Sequence, residues 1–139
     1  MPVITLKAGR EKSLIRLHPW IFSGAIDRIE GDPAAGAVVD VYTGDGVLIG
    51  RGGYSPASQI TVRMWSFAPE DTIDREFLQQ RLSTAIDFRS VLPALPLAAC
   101  RLINAESDGM PGLIVDRYGE FLVCQFLTCA VEAFKQEIV

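Results

Sequence analysis

Apolar and polar residues alternate through most of the first half of the chain. Val3-Ile4-Thr5-Leu6 reads as a short strand, which Gly9 ends. Arg10 to Leu17 has helical spacing, with Leu14, Ile15 and Leu17 expected inward and Arg10, Lys12 and Arg16 outward. His18-Pro19 is the predicted terminator, because a proline drives the residue before it out of helical geometry. Ile21 to Ile29 reads as extended with a bulge at Gly24, and Gly31-Asp32-Pro33 as a turn. Three further strands follow. Ala37 to Tyr42 leads through the hairpin turn Thr43-Gly44-Asp45-Gly46 into a strand from Val47, with a kink at Gly52-Gly53. Gln59 to Trp65 alternates and makes the third. Residues 1–69 are therefore expected to form a small, mostly antiparallel β-barrel carrying one or two short helices.

The pattern changes at Ala68-Pro69-Glu70-Asp71, a linker and helix start. Ile73, Phe77, Leu78, Leu82, Ala85 and Ile86 recur at helical spacing to about Leu92, where Pro93 and Pro96 end the helix. Residues 101–105 read as a strand and Ser107 to Gly112 as a turn-rich loop. Leu113 to Asp116 and Glu120 to Leu127 flank Arg117-Tyr118-Gly119 as a hairpin. Val131, Phe134, Lys135 and Ile138 then begin an amphipathic helix with neither a C-cap glycine nor a terminating proline. The expected class is α+β: a barrel, then an incomplete module, residues 70–139, of helix, β-hairpin sheet and helix. The natural protein is expected to continue past Val139.

Charge sharpens this picture. The net charge is −4, yet residues 1–28 carry five basic against two acidic side chains, +3, leaving −7 for the rest. Global acidity argues against nonspecific nucleic-acid coating, whereas a local basic face can hold phosphate at a defined place. Lys7, Arg10, Lys12 and Arg16 are the candidates, against the plainer reading of a solvated helix face. Trp20, in Pro19-Trp20-Ile21-Phe22, reads first as a tryptophan buried in the barrel and second as a stacking surface for an unpaired base. His18 reads as a structural histidine. The apolar runs are too short to span a bilayer, no signal peptide precedes them, and Cys100, Cys124 and Cys129 read as reduced thiols. A cytoplasmic protein with no membrane partner is expected.

Gly44 to Ser58 is glycine-rich but fits neither the dinucleotide fingerprint nor the P-loop, so hairpin chemistry explains it. Arg51, Tyr54 and Ser55 are nonetheless candidate RNA contacts at a barrel edge. Glu106, Asp108 and Asp116 read as turn-forming acids, since Met110-Pro111 falls where calcium ligands would be needed. The cysteines lack zinc spacing. No nucleophilic triad and no glycine-rich strand–turn–helix unit is present, so neither catalytic, metal nor cofactor residues are expected in this chain.

Two stretches together carry a resemblance. Gly9 to Ile26 (GREKSLIRLHPWIFSGAI), followed by Arg51 to Trp65 (RGGYSPASQITVRMW), resembles the N-terminal PUA domain of a bacterial rRNA methyltransferase family. Arg101 to Thr128 (RLINAESDGMPGLIVDRYGEFLVCQFLT) is similar to that family's central domain. The family is the adenosylmethionine-dependent cytosine-5 methyltransferase of 23S rRNA. The resemblance implies a PUA domain, a central α+β domain and a C-terminal Rossmann-like methyltransferase domain. The catalytic cysteine and the adenosylmethionine site would lie in that last domain, which this chain lacks. One departure is Ala105, where members of the family often carry glycine before the glutamate. The implied role of the chain is to bind and orient 23S rRNA, with a homodimer as a further expectation. A stand-alone RNA-binding or ribosome-associated module, and a PUA-like protein-interaction or sensing domain, are the alternatives.

Overall fold

The computed structural model describes residues 1–90 and 99–139. Strands β1 (Val3–Leu6), β2 (Trp20–Phe22), β3 (Ile26–Glu30), β4 (Val38–Tyr42), β5 (Leu48–Tyr54) and β6 (Ile60–Ser66) form one sheet in the order β2-β6-β5-β4-β1-β3. All pairings are antiparallel except β1 with β4. β2 and β3 sit at opposite edges, yet only the 3-10 turn Ser23–Ala25 joins them. A flat six-stranded sheet would hold its edge strands about 24 Å apart. The four-residue step from Phe22 to Ile26 spans at most about 14 Å. The sheet must therefore curl into a partly open barrel. The link ties both edges, Ser23 N–H donating to Gln59 O and Ala25 O accepting from Lys7 N–H, each at 2.9 Å.

The expected extended run from Ile21 to Ile29 is thus two strands broken by that turn, not one strand with a bulge. The strand after the hairpin runs from Leu48 to Tyr54, with a register shift against β6 between Arg51 and Gly52, where the kink was expected.

Val39 and Val41 point into the barrel with Ile4, Leu6, Leu14, Ile21, Val62 and Met64. β6 is buried on both faces. Val62 and Met64 fill the barrel, while Trp65 on the opposite face enters a second core.

That second core is built by helix α2 (Arg75–Ser90), the sheet β7 (Ala99–Asn104), β8 (Leu113–Tyr118) and β9 (Phe121–Phe126), and the short helix α3 (Cys129–Ala133). α2 starts at Arg75 because Asp74 caps it, accepting the Phe77 N–H at 2.9 Å. Ile73 and Leu78, before the cap and in the first turn, are both buried in this core, as a hydrophobic staple requires. Ile86, expected inward, is exposed. Leu92, Pro93 and Pro96 lie outside the described residues. The final amphipathic segment forms two short helices, α3 and α4 (Lys135–Ile138), joined at Phe134. Phe134 meets Trp65 edge-on at 5.9 Å and fastens this end of the chain to the barrel wall.

Candidate nucleic-acid interface

Helix α1 (Lys12–Ile15) is a single turn. Leu17 takes φ +62°, its N–H donates to Leu14 O at 2.8 Å, and the His18 N–H donates to Ser13 O at 3.0 Å. This paired closure ends the helix before His18-Pro19 is reached. So short a helix has room for one inward side chain. Leu14 is buried, whereas Ile15 and Leu17, both expected inside, are exposed.

The turn lies across a groove from β2. The groove holds about 430 Å³ and is lined by Arg10, Lys12, Trp20 and Phe22 over buried Leu14 and Ile21. Lys7 and Arg16 are exposed but are not among the residues that line it. Among the described residues, none of Lys7, Arg10, Lys12 or Arg16 pairs with a carboxylate, whereas Arg51, Arg63, Arg89 and Arg101 all do. Glu11, between the groove cations, is half-buried and turns one carboxylate oxygen inward without a hydrogen-bond partner among the described residues.

Trp20 corrects its first reading. It is 37% exposed and Phe22 is 48% exposed, while Ile21 between them is buried. The alternation out, in, out was legible in Trp20-Ile21-Phe22 and was masked by the apolar character of all three residues. The Trp20 indole N–H donates to Glu106 Oε1 at 2.9 Å, and Arg63 Nε lies 3.6 Å from the same oxygen. His18 packs edge-on against Trp20 at 5.6 Å, and its Nδ1 accepts the Trp20 backbone N–H at 3.2 Å. Trp20 also meets Phe22 edge-on, at 6.4 Å.

The second predicted contact group is placed differently. Arg51 Nε donates to Asp40 at 2.8 Å, and the guanidinium also donates to the backbone carbonyls of Pro69, at 2.8 Å, and Asp71. It clamps the barrel to the linker. Tyr54 is 9% exposed within the barrel core and Ser55 is 4% exposed. None of the three presents a free surface for RNA, because β5 is an interior strand covered on one face by α3. A signal for Arg51 existed: Asp40 and Arg51 are cross-strand partners on the two arms of the Thr43–Gly46 hairpin.

The carboxylates are engaged. Asp108 receives both Arg89 nitrogens, at 3.1 and 2.8 Å, and the Asn104 N–H at 2.6 Å. Asp116 is held in the same two-pronged way by Arg101, at 2.8 and 3.2 Å. Hydrogen bonding by Arg101 holds the Asp116 carboxyl below the usual carboxylate range, and Asp116 raises the Arg101 guanidinium. Among the described residues, no three His, Cys, Asp or Glu side chains gather as a metal site would.

The glycines around 50–53 do not fit a cofactor cradle. They lie inside a paired strand rather than at a helix start. A Cβ on Gly53 would collide with Ala130 and sit 2.9 Å from Trp65 Nε1. A Cβ on Gly52 would lie 2.7 Å from the Arg63 carbonyl oxygen. The space around Gly52 and Gly53 is filled by the protein itself. Among the described residues, no helix is long and apolar enough to cross a membrane.

Comparison with known proteins places these features. Residues 4–67 match the model of the PUA-like domain family. The chain is 51% identical over 137 residues to ribosomal RNA large subunit methyltransferase I of Vibrio vulnificus, covering 98% of this chain and 34% of that protein. It is 47% identical over 137 residues to the protein of the same name from Aeromonas hydrophila, with the same coverage. It is 50% identical over 138 residues to that of Photobacterium profundum, covering 98% of this chain and 35% of that one. A solved structure described as a "putative sam-dependent methyltransferase" from Streptococcus mutans superposes with a TM-score of 0.85 at 20% identity. It covers 99% of this chain and 36% of that one, and shares the fold. The chain spans about a third of the length of the curated relatives it matches. Residues 4–67 are therefore similar to the PUA-like domain family, and nearly the whole chain is similar to about a third of proteins named ribosomal RNA large subunit methyltransferase I.

Proposed function

We propose that this chain is the RNA-binding part of an adenosylmethionine-dependent methyltransferase that modifies cytosine C5 in 23S rRNA in the cytoplasm. Its own work is to bind and orient that RNA. Residues 1–69 act as the PUA module and residues 70–139 as part of a central domain packed on it. Methyl transfer and adenosylmethionine belong to the portion of the longer relatives that this chain does not match. A homodimer is included in the proposal. β9 is an edge strand whose Phe121, Leu122 and Val123 are exposed, and an unpaired apolar edge favours pairing with another chain.

The observation that carries the RNA reading is the set of exposed cations without carboxylate partners, Lys7, Arg10, Lys12 and Arg16, on a protein whose other charge is acidic. Phosphate contacts release counterions, so affinity for RNA falls with salt in proportion to their number. The test is the affinity of the chain for rRNA fragments against salt, wild type against the Arg10→Ala/Lys12→Ala/Arg16→Ala variant. Each cation that touches phosphate should lower the slope by about 0.7–0.9. An unchanged affinity and slope would remove this face from the reading.

A further inference from the structure

The groove beside α1 combines two chemistries that a phosphate-binding face alone does not need. Its cations stand on one wall and its aromatic rings on the other. Duplex RNA is held through backbone and 2′-hydroxyl contacts and has no exposed base faces to stack. Exposed rings beside a cationic wall suit a single strand, whose bases are free to lie on them.

The rings are also held in place. Ile21 fixes β2 by its burial in the barrel, so Trp20 and Phe22 must face outward. Glu106 takes the Trp20 indole N–H, fixing the ring edge, and Arg63 offsets the charge that Glu106 would otherwise present to RNA. The Trp20 N–H is spent on protein, so the ring offers only its face to a ligand. His18 packs against the other end of the row.

We propose that the outward face of β2, formed by Trp20 and Phe22, is a stacking platform for unpaired bases of a single RNA strand whose phosphates follow Arg10 and Lys12. The inference rests on the RNA-binding reading above and specifies its substrate class. Stacking through ring faces tolerates any base, so the platform selects unpaired over paired RNA rather than one sequence over another. Glu106 acts as a positioning residue.

The experiment titrates the full chain with decameric oligouridylate, with the same decamer annealed to its complement, and with an abasic ribose-phosphate decamer. Binding is read by anisotropy of a label on the RNA and by intrinsic tryptophan fluorescence. The second signal reports on Trp20, because the other tryptophan, Trp65, is buried. Wild type should bind the single strand more tightly than the duplex or the abasic strand, with fluorescence quenching. Phe22→Ala and Trp20→Ala should each weaken single-strand binding between about five- and a hundred-fold without changing the salt slope. Trp20→Phe, which keeps a ring face and loses the N–H, should retain most of the affinity. It guards against the case in which Trp20→Ala fails to fold, which circular dichroism would reveal.

Aromatic variants that bind like wild type, while Arg10→Ala/Lys12→Ala weakens binding, would overturn the platform and leave the RNA reading standing. Equal affinity for single strand, duplex and abasic strand would do the same. No RNA binding at low salt would overturn both. Capture of a proline-rich peptide in place of RNA would reassign the groove to protein recognition.

Discussion

Arg51 and Ala105 show how differently single residues behave from what their type suggests. Arg51 looks like an RNA contact in a glycine-rich loop, but it is spent on Asp40 and on two backbone carbonyls. Arg51→Met should therefore cost about 1–3 kcal/mol of stability, measured by urea denaturation, because it leaves a partly buried Asp40 without its charged donor. RNA affinity measured below the transition should be unchanged, and a large loss of affinity would return Arg51 to the interface. Ala105 has φ +47°, in the left-handed region that favours glycine. This is the position where the resemblance anticipates glycine. Ala105→Gly should raise the denaturation midpoint, by about 0.5–1.5 kcal/mol in stability, and a lowered midpoint would contradict the backbone geometry.

At the scale of elements, most strands and the place of the short helix were legible in the sequence, whereas the break between β2 and β3 and the single-turn length of α1 were not. Val39 and Val41 face inward while Val38, Asp40 and Tyr42 alternate with them and are half-buried, so β4 falls where the sequence places a strand. α1 misled because Leu14, Ile15 and Leu17 fit a longer helix, while Leu17 in a left-handed conformation stops the turn early. Trp20 was hidden for a different reason. Its partner Glu106 lies 86 residues away, and no local pattern reports such a contact. The packing of α3 on β5 was equally silent, although the glycines that permit it were visible. Gly53 lies against Ala130, and Gly36, at φ +87°, would bring a Cβ within 2.7 Å of Cys129 O. Gly53→Ala should therefore wedge α3 off the barrel and cost about 1–3 kcal/mol, read by thermal melting. Increased exposure of Trp65 should accompany it, and a wild-type melting curve would show that α3 does not pack there.

For the whole molecule, the two halves are coupled rather than strung together. The outer face of β6 carries Arg63 to Glu106 and Trp65 to Phe134, so the barrel wall is also one wall of the second core. The groove proposed to take RNA is on the barrel, yet its tryptophan is oriented from the second half. It also bears on the charge asymmetry: Lys7, Arg10, Lys12 and Arg16, all within the first sixteen residues, pair with no carboxylate among the described residues, whereas Arg51, Arg63, Arg89 and Arg101 are tied up in ion pairs. The central claim is therefore about place. Its most direct test is to follow the amide and indole resonances of the isotopically labelled chain while adding a single-stranded rRNA fragment. The predicted result is perturbation concentrated at Gly9–Lys12, at Trp20 and its indole N–H, and at Phe22, with Asp40, Arg51, Tyr54 and Ser55 unmoved. Perturbation centred on β5 or on α2, with the groove residues silent, would contradict the account.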